Sequence, residues 1–248
     1  MKLRSSLASF LIAAAMAGQW ALPVSAASSS VHGYGQGKIT DSENRPIDAV
    51  GFTQSYGKYD CYALTPDSDN IILTFDQGYE NGYTAKILDT LKQKNAKAIF
   101  FLTGDYVKAE PDLVRRMIDE GHMLGNHGMK HKSFPKLSDS EYNEEVMSLH
   151  QYMIDNYDYE MQYLRPPCGE FSEESLSRTK ALGYKTIMWS FAHVDWLPDK
   201  QPECRASLDN MLKSAHPGAI YLLHSVSKTN TEVLGDLIDG LRQKGYKV

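Results

Sequence analysis

From Asn70 onward, short apolar runs alternate with helical segments, and this alternation restricts the possible folds more than any other feature of the chain. The runs are Ile71–Phe75, Ala98–Leu102, Met123–Asn126, Tyr163–Pro167, Lys185–Ser190 and Ala219–His224. Each is strand-sized and bounded by turn-forming or polar residues, so each reads as a β-strand. The segments between them read as helices over Thr84–Gln93, Pro111–Glu120, Asp139–Asn156, Glu173–Leu182, Arg205–Ala215 and Thr231–Lys244. In the last of these, Val233, Leu234, Leu237, Ile238 and Leu241 fall on one face at helical spacing. Gly121, Gly183 and Gly245 each follow a predicted helix, where a left-handed C-terminal cap favours glycine. Tyr246-Lys247-Val248 begins a further strand. Repeated βα units require a parallel sheet, so the expected fold is α/β, a distorted (β/α) barrel of about seven parallel strands spanning residues 66–248.

Length and composition suit one such domain: 248 residues, 42% hydrophobic and 23% charged. Residues 1–26 stand apart. Lys2 and Arg4 precede an apolar run from Leu7 to Ala17, and Val24-Ser25-Ala26 offers a small-residue cleavage site, the layout of a secretory signal peptide. Gly18 and Gln19 interrupt the run before it reaches spanning length, although an uncleaved segment would tether the protein to the membrane. The expected location is extracytoplasmic. Residues 27–65, rich in Ser, Gly, Tyr and Asp without a sustained period, read as a partly disordered leader packing on the domain near its end. Removing Lys2 and Arg4 takes the formal charge from −5 to −7. That balance argues against nucleic acid or an anionic membrane surface as partner. No feature points to a protein partner. Cys61, Cys168 and Cys204 permit one disulfide with one thiol left over, or none.

Polar residues collect at the ends of the predicted strands. Asp76 ends the first strand, His127 follows the third, Arg165 lies near the end of the fourth, Asp195 follows the fifth and His224 ends the sixth. In a parallel α/β fold these carboxyl ends share one face, where catalytic groups sit. For Asp76 alone, a strand stopped by turn residues would be an adequate account; five such ends together are not explained that way. His127 and His131, spaced i, i+4, bring two imidazoles to one side of a helical turn, as a zinc site requires.

The motifs TFDQG, HGMKH, RPPCG, VDW and LLH, in this order between Ile71 and Tyr246, resemble the five-motif pattern of the polysaccharide deacetylase family, the NodB homology domain of carbohydrate esterase family 4. The longer strings TFDQGYENGYT, DWLPDKQP and HPGAIYLLHSVSK resemble the branch acting on peptidoglycan N-acetylmuramic acid, which leads to muramic δ-lactam in spore cortex. The resemblance implies a deacetylase fold of the NodB type, peptidoglycan glycan strands as the partner, and a divalent metal held by His127, His131 and Gln77. It casts Asp76 as general base and His224 as general acid. Arg165 would hold and acidify Asp76, and Asp195 would in turn hold Arg165. The backbone N–H of Cys168 would meet the developing oxyanion, since the flanking Pro167 has none. Trp196 and Leu222 would line the acetyl pocket.

Gln77 departs from the widespread family pattern, which has a second Asp there. A neutral amide is the weaker ligand, and with imidazole nitrogen dominating the site the Irving–Williams order favours zinc over manganese or magnesium. The muramic-acid branch also commonly lacks that Asp. Bland readings accompany each role: Arg165 and Asp195 as structural ion-pair members, Trp196 and Leu222 as core, and His224 as a satisfied core histidine. Cys168 also permits a nucleophile with His224 as its base. Two other functions fit the same residues. One is deacetylation of N-acetylglucosamine in peptidoglycan or chitin-like chains. The other is a non-catalytic carbohydrate-binding relative.

Overall fold

The computed structural model describes residues 27–66 and 69–248; the expected signal peptide, residues 1–26, lies outside them. In chain order the elements are β1 (His32–Gly33), α1 (Ile47–Tyr56), β2 (Cys61–Tyr62), β3 (Ile72–Gln77), α2 (Thr84–Gln93), β4 (Ala98–Leu102), α3 (Gly104–Ala109), α4 (Pro111–Asp119), β5 (Met123–Asn126), α5 (Asp139–Tyr157), β6 (Tyr163–Leu164), β7 (Glu170–Phe171), α6 (Glu173–Ala181), β8 (Lys185–Ile187), β9 (Phe191–Ala192), α7 (Cys204–Lys213), β10 (Ile220–His224) and α8 (Lys228–Gln243). Local chemistry sets many of the boundaries. Ser138 and Glu141 form a reciprocal capping box at the start of α5, Ser172 and Ser175 do the same for α6, and Pro111 opens α4. Gly121, Gly183 and Gly245 all take positive φ just beyond a helix.

Eight strands form one parallel sheet in the order β2-β8-β6-β5-β4-β3-β10-β9, curled into a half-barrel, and β1 pairs with β7 as a separate antiparallel ribbon. β8 lies beside one edge of the sheet and β9 is the other edge, yet only residues 188–190 join them. Such a link spans at most about 14 Å, so the sheet must bend nearly back onto itself. Strand alternation then divides the side chains. Leu73, Phe75, Phe100 and Leu102 face outward into the main core with Ile87, Leu88, Leu91 and Leu237 of the helices. Ile99, Phe101, Ile187 and Ile220 face inward as a small cluster of their own. All of β4 is buried because both of its faces are covered.

Several expectations change. Residues 27–65 are no loosely attached leader: they build α1 and β2, and β2 pairs in parallel with β8 through Cys61↔Thr186 and Tyr62↔Ile187. Ala49 and Phe52 of α1 pack with Phe171, Leu176, Met188, Trp189 and Leu222. Tyr246–Val248 makes one isolated bridge, Asn70↔Lys247, instead of a strand; β2 and β9 bring the sheet to eight. The run Tyr163–Pro167 stops after Leu164, since Pro166 and Pro167 have no N–H for the ladder. The run Lys185–Ser190 breaks after Ile187, and a buried guanidinium takes the carbonyls of Ile187 and Met188. All three cysteines are free thiols.

Candidate active site

Register alone brings the acid and base candidates together. In the β10–β3 pair His224 lies opposite Asp76, and the neighbouring pairs Gln77↔Leu102, Leu102↔Asn126 and Asn126↔Leu164 set the other strand ends at the same level. A cavity of about 680 Å³ opens at this level, bordered by Asp76, Gln77, His127, His131, Cys168, Trp189, Trp196, Leu222 and His224.

Asp76 points inward and is almost fully buried. Arg165 Nη1 donates to its Oδ1 at 2.7 Å, while its Oδ2 lies 3.6 Å from His127 Nε2. Burial opposes the carboxylate, but the charge of Arg165, with smaller contributions from the His127 and His224 imidazoles, outweighs it and holds Asp76 below the usual carboxylate range. Arg165 is itself wholly buried. It also donates to Thr74 Oγ1 at 2.8 Å and to the carbonyls of Ile187 and Met188 at 3.0 Å, with its guanidinium 4.2 Å above the Phe101 ring. So many fixed partners leave it one orientation, and Asp76 inherits that rigidity.

His127 Nδ1 lies 2.8 Å from the carbonyl oxygen of Arg165, an acceptor, so Nδ1 carries the proton and Nε2 presents a lone pair to the cavity. The His131 ring stands 4.8 Å away, nearly edge-on. Burial lowers the pKa of both imidazoles, that of His127 to about 4, so both are neutral at pH 7. His131 has a left-handed backbone, φ 57°, inside a tightly held loop. Glu145 Oε1 accepts the amides of Lys130 at 2.7 Å and Lys132 at 3.2 Å, and Asn126 Oδ1 accepts that of Gly128 at 2.8 Å.

His224 Nδ1 donates to Asp195 Oδ1 at 2.7 Å, and its backbone amide donates to Asp195 Oδ2 at 2.9 Å. Asn230 Nδ2 donates to the same Oδ2. Burial disfavours the imidazolium, but the hydrogen bond and charge of Asp195, with the charge of Asp76, outweigh it and raise the His224 pKa. Nε2 is left to the cavity, beside the Trp196 ring at 5.6 Å. Cys168 takes φ 58° in the turn after two prolines. Its thiol pKa is raised, by burial first and then by Glu170, so it is protonated and a poor nucleophile.

The donors suit a small divalent cation. Two neutral imidazoles converge, and Gln77 Oε1 is a buried oxygen without a hydrogen-bond partner. Gln77 is wholly buried on the strand face opposite Asp76, with Nε2 3.5 Å from Thr84 Oγ1, yet it borders the cavity. Among the described residues no group of three or more His, Cys, Asp or Glu is placed to hold a metal.

A profile of the family described as polysaccharide deacetylase matches residues 63–187. A peptidoglycan-N-acetylmuramic acid deacetylase of Bacillus subtilis is 46% identical over 192 residues, 76% of this chain and 73% of that protein. The chain belongs to the polysaccharide deacetylase family. The solved structure of that Bacillus subtilis protein, a family 4 carbohydrate esterase, superposes with a TM-score of 0.83 at 40% identity, covering 89% of this chain and 94% of the other. A peptidoglycan-N-acetylglucosamine deacetylase of Bacillus cereus is 33% identical, covering 71% of this chain and 65% of that protein.

In this deacetylase one expected contact is redrawn: Asp195 does not hold Arg165. The guanidinium is satisfied by Thr74, Asp76 and two carbonyls, and Asp195 binds His224 instead. The site thus contains two pairs, Arg165–Asp76 and Asp195–His224, rather than one relay. Leu222 and the half-exposed Trp196 both border the cavity. Glu145 and Asn230 escaped the sequence reading, although a signal existed. Glu145 shares the apolar face of α5 with Tyr142, Val146 and Leu149, and Asn230 lies one turn before Val233 on that of α8. A polar group on a core face requires a partner.

Proposed function

We propose that this deacetylase hydrolyses the N-acetyl group of peptidoglycan N-acetylmuramic acid whose peptide has been trimmed. The observation that carries the reading is the pairing of Asp76 with His224 across adjacent strands, each held by its own opposite charge and both facing the two-histidine cavity. Identity is higher to the muramic-acid deacetylase, 46%, than to the glucosamine deacetylase, 33%. That difference favours the muramic substrate.

Asp76 Oδ2, the oxygen not bound by Arg165, takes a proton from the attacking water. The water oxygen bonds to the acetamide carbon, and the negative charge that develops on the carbonyl oxygen meets the Cys168 amide. His224, kept protonated by Asp195, gives its Nε2 proton to the nitrogen as the C–N bond breaks. Acetate and the free amine are the products. Leu222 and Trp196 border the space for the acetyl methyl and exclude water from it. His127 and His131, with the Gln77 amide oxygen as a neutral donor, would hold a divalent metal, zinc in preference to manganese or magnesium, which would polarise the carbonyl and make water more acidic. The new amine stands beside the lactyl carboxyl of the same sugar, so ring closure to the δ-lactam follows as spore-cortex chemistry. Residues 1–26 serve to export the chain to that substrate.

The test is mass spectrometry of peptide-free glycan strands and of chitooligosaccharide after incubation with the zinc-supplemented protein. Loss of one acetyl from muramic residues, with or without a further loss of water, is expected. An Asp76→Asn control should bind the strands and release no acetate. Deacetylation confined to glucosamine residues would overturn the muramic assignment, and binding without acetate release would make the protein a non-catalytic relative.

A further inference from the structure

Residues 32–36 lie ahead of the matched family region, which starts at residue 63, yet they touch the cavity wall directly. His32 and Gly33 pair with Phe171 and Glu170 as an antiparallel ribbon. The Tyr34 amide then donates to Gly169 O at 2.9 Å, next to Cys168. Tyr34 Oη donates to Trp189 O at 2.5 Å, and its ring stands edge-on to the indole at 5.1 Å. The indole N–H donates to Gln36 Oε1 at 2.9 Å, and Gln36 Nε2 donates to Ala192 O at 3.2 Å. Trp189 in turn borders the cavity, 5.8 Å from the Arg165 guanidinium. It also presses on the turn, since a Cβ at Gly169 would meet Trp189 Cη2 at 2.8 Å.

We propose that Tyr34 and Gln36 are positioning residues: the N-terminal strap clamps Trp189 and the Pro166–Gly169 turn so that the Cys168 amide is aimed at the developing oxyanion. The turn closes on itself through the Gly169 amide and the Pro166 carbonyl at 3.1 Å, and Ser133 and Lys136 hold the adjoining Glu170 side chain, but the strap is what grips the Gly169 carbonyl. The turn's prolines contribute no donors, and the strap holds the Gly169 carbonyl from one side while Trp189 packs against it from the other. A donor aimed at the transition state acts on kcat more than on substrate affinity. Loosening the strap should therefore slow turnover and leave KM nearly unchanged.

The inference rests on the deacetylation reading, and the test separates the two. Parent, Tyr34→Phe and Gln36→Leu proteins are assayed for acetate release from peptide-free glycan strands. Trp189 is followed by acrylamide quenching in a Trp20→Phe, Trp196→Phe background, where it is the sole tryptophan. Gln36→Leu removes two hydrogen bonds and should lower kcat about tenfold with KM within about twofold, the size expected when a donor is displaced by a fraction of an ångström. Trp189 quenching should rise in the same variant. Tyr34→Phe keeps the ring contact and the Gly169 link, so it should fold as the parent does and show a smaller loss of the same kind. Parental kcat in both variants, an effect on KM alone, or unchanged quenching would overturn the strap's role. An inactive parent would instead refute the deacetylation reading, and quenching would still report whether the strap holds Trp189.

Discussion

Asp195→Asn gives the sharpest test of the two-pair site. Asp195 is fully buried and accepts from His224 Nδ1, the His224 amide and Asn230 Nδ2. An asparagine of the same shape must place an NH2 where one of the two carboxylate oxygens was. Facing the His224 amide and Asn230, that group meets two donors; facing Nδ1, it drives the imidazole into its other tautomer. Either way the imidazolium loses its hydrogen bond to an anionic acceptor, worth about 1.5–3 kcal/mol. His224 is only 23% exposed, so solvent does little to screen the loss. At about 1.4 kcal/mol per pKa unit, its pKa should fall by about one to two units. A general acid must hold its proton, so the rate falls as pH rises through that pKa. The alkaline limb of acetate release should therefore move about one to two pH units toward acid in the variant. Stability follows the same sign. A raised histidine pKa contributes stability present below the unfolded value and lost as pH rises through the folded one, so the variant's Tm deficit should be largest at acidic pH. The assay is initial rate of acetate release against pH at saturating zinc. A profile scaled down uniformly, with its alkaline limb unmoved, would show that Asp195 does not tune the proton on His224.

Three further outcomes are expected. Gln77→Asp should tighten zinc binding in a chelator competition without a proportional gain in turnover, because added negative charge beside Asp76 weakens the metal's pull on the acetamide; unchanged affinity would mean that Gln77 does not face the metal. Glu145→Ala leaves the Lys130 and Lys132 amides without their acceptor and should weaken zinc about 10–100-fold in the same titration, whereas a loss of Tm alone would make Glu145 a packing residue. Cys168→Ala should release acetate within about twofold of the parental rate, because its backbone amide and not its thiol is used; a loss of a hundredfold or more would restore the thiol nucleophile.

Much of the fold was legible because it rests on local pattern. The period of the apolar residues placed six of the seven helices between Thr84 and Gln243 to within a few residues, missing only the short α3, and the alternation with strands required a parallel sheet with its carboxyl ends on one face. From that face alone Asp76, His127, Arg165, Asp195 and His224 could be brought together, and the i, i+4 spacing added His131. The motif order then pointed to the chemistry. Which charge holds which was not legible, since pairing across about 90 residues depends on register and curl rather than on spacing. The motifs assigned Asp195 to Arg165; only the folded sheet puts it against His224 and gives Arg165 the carbonyls of Ile187 and Met188. Those carbonyls are accessible because the strand breaks there to let the sheet curl. Residues 27–65 show the same limit: without periodicity they read as a leader, although β2 closes one edge of the sheet and Tyr34 and Gln36 grip Trp189. A segment whose order comes from distant partners carries little local signal, because its hydrogen bonds and buried area exist only after the rest has folded.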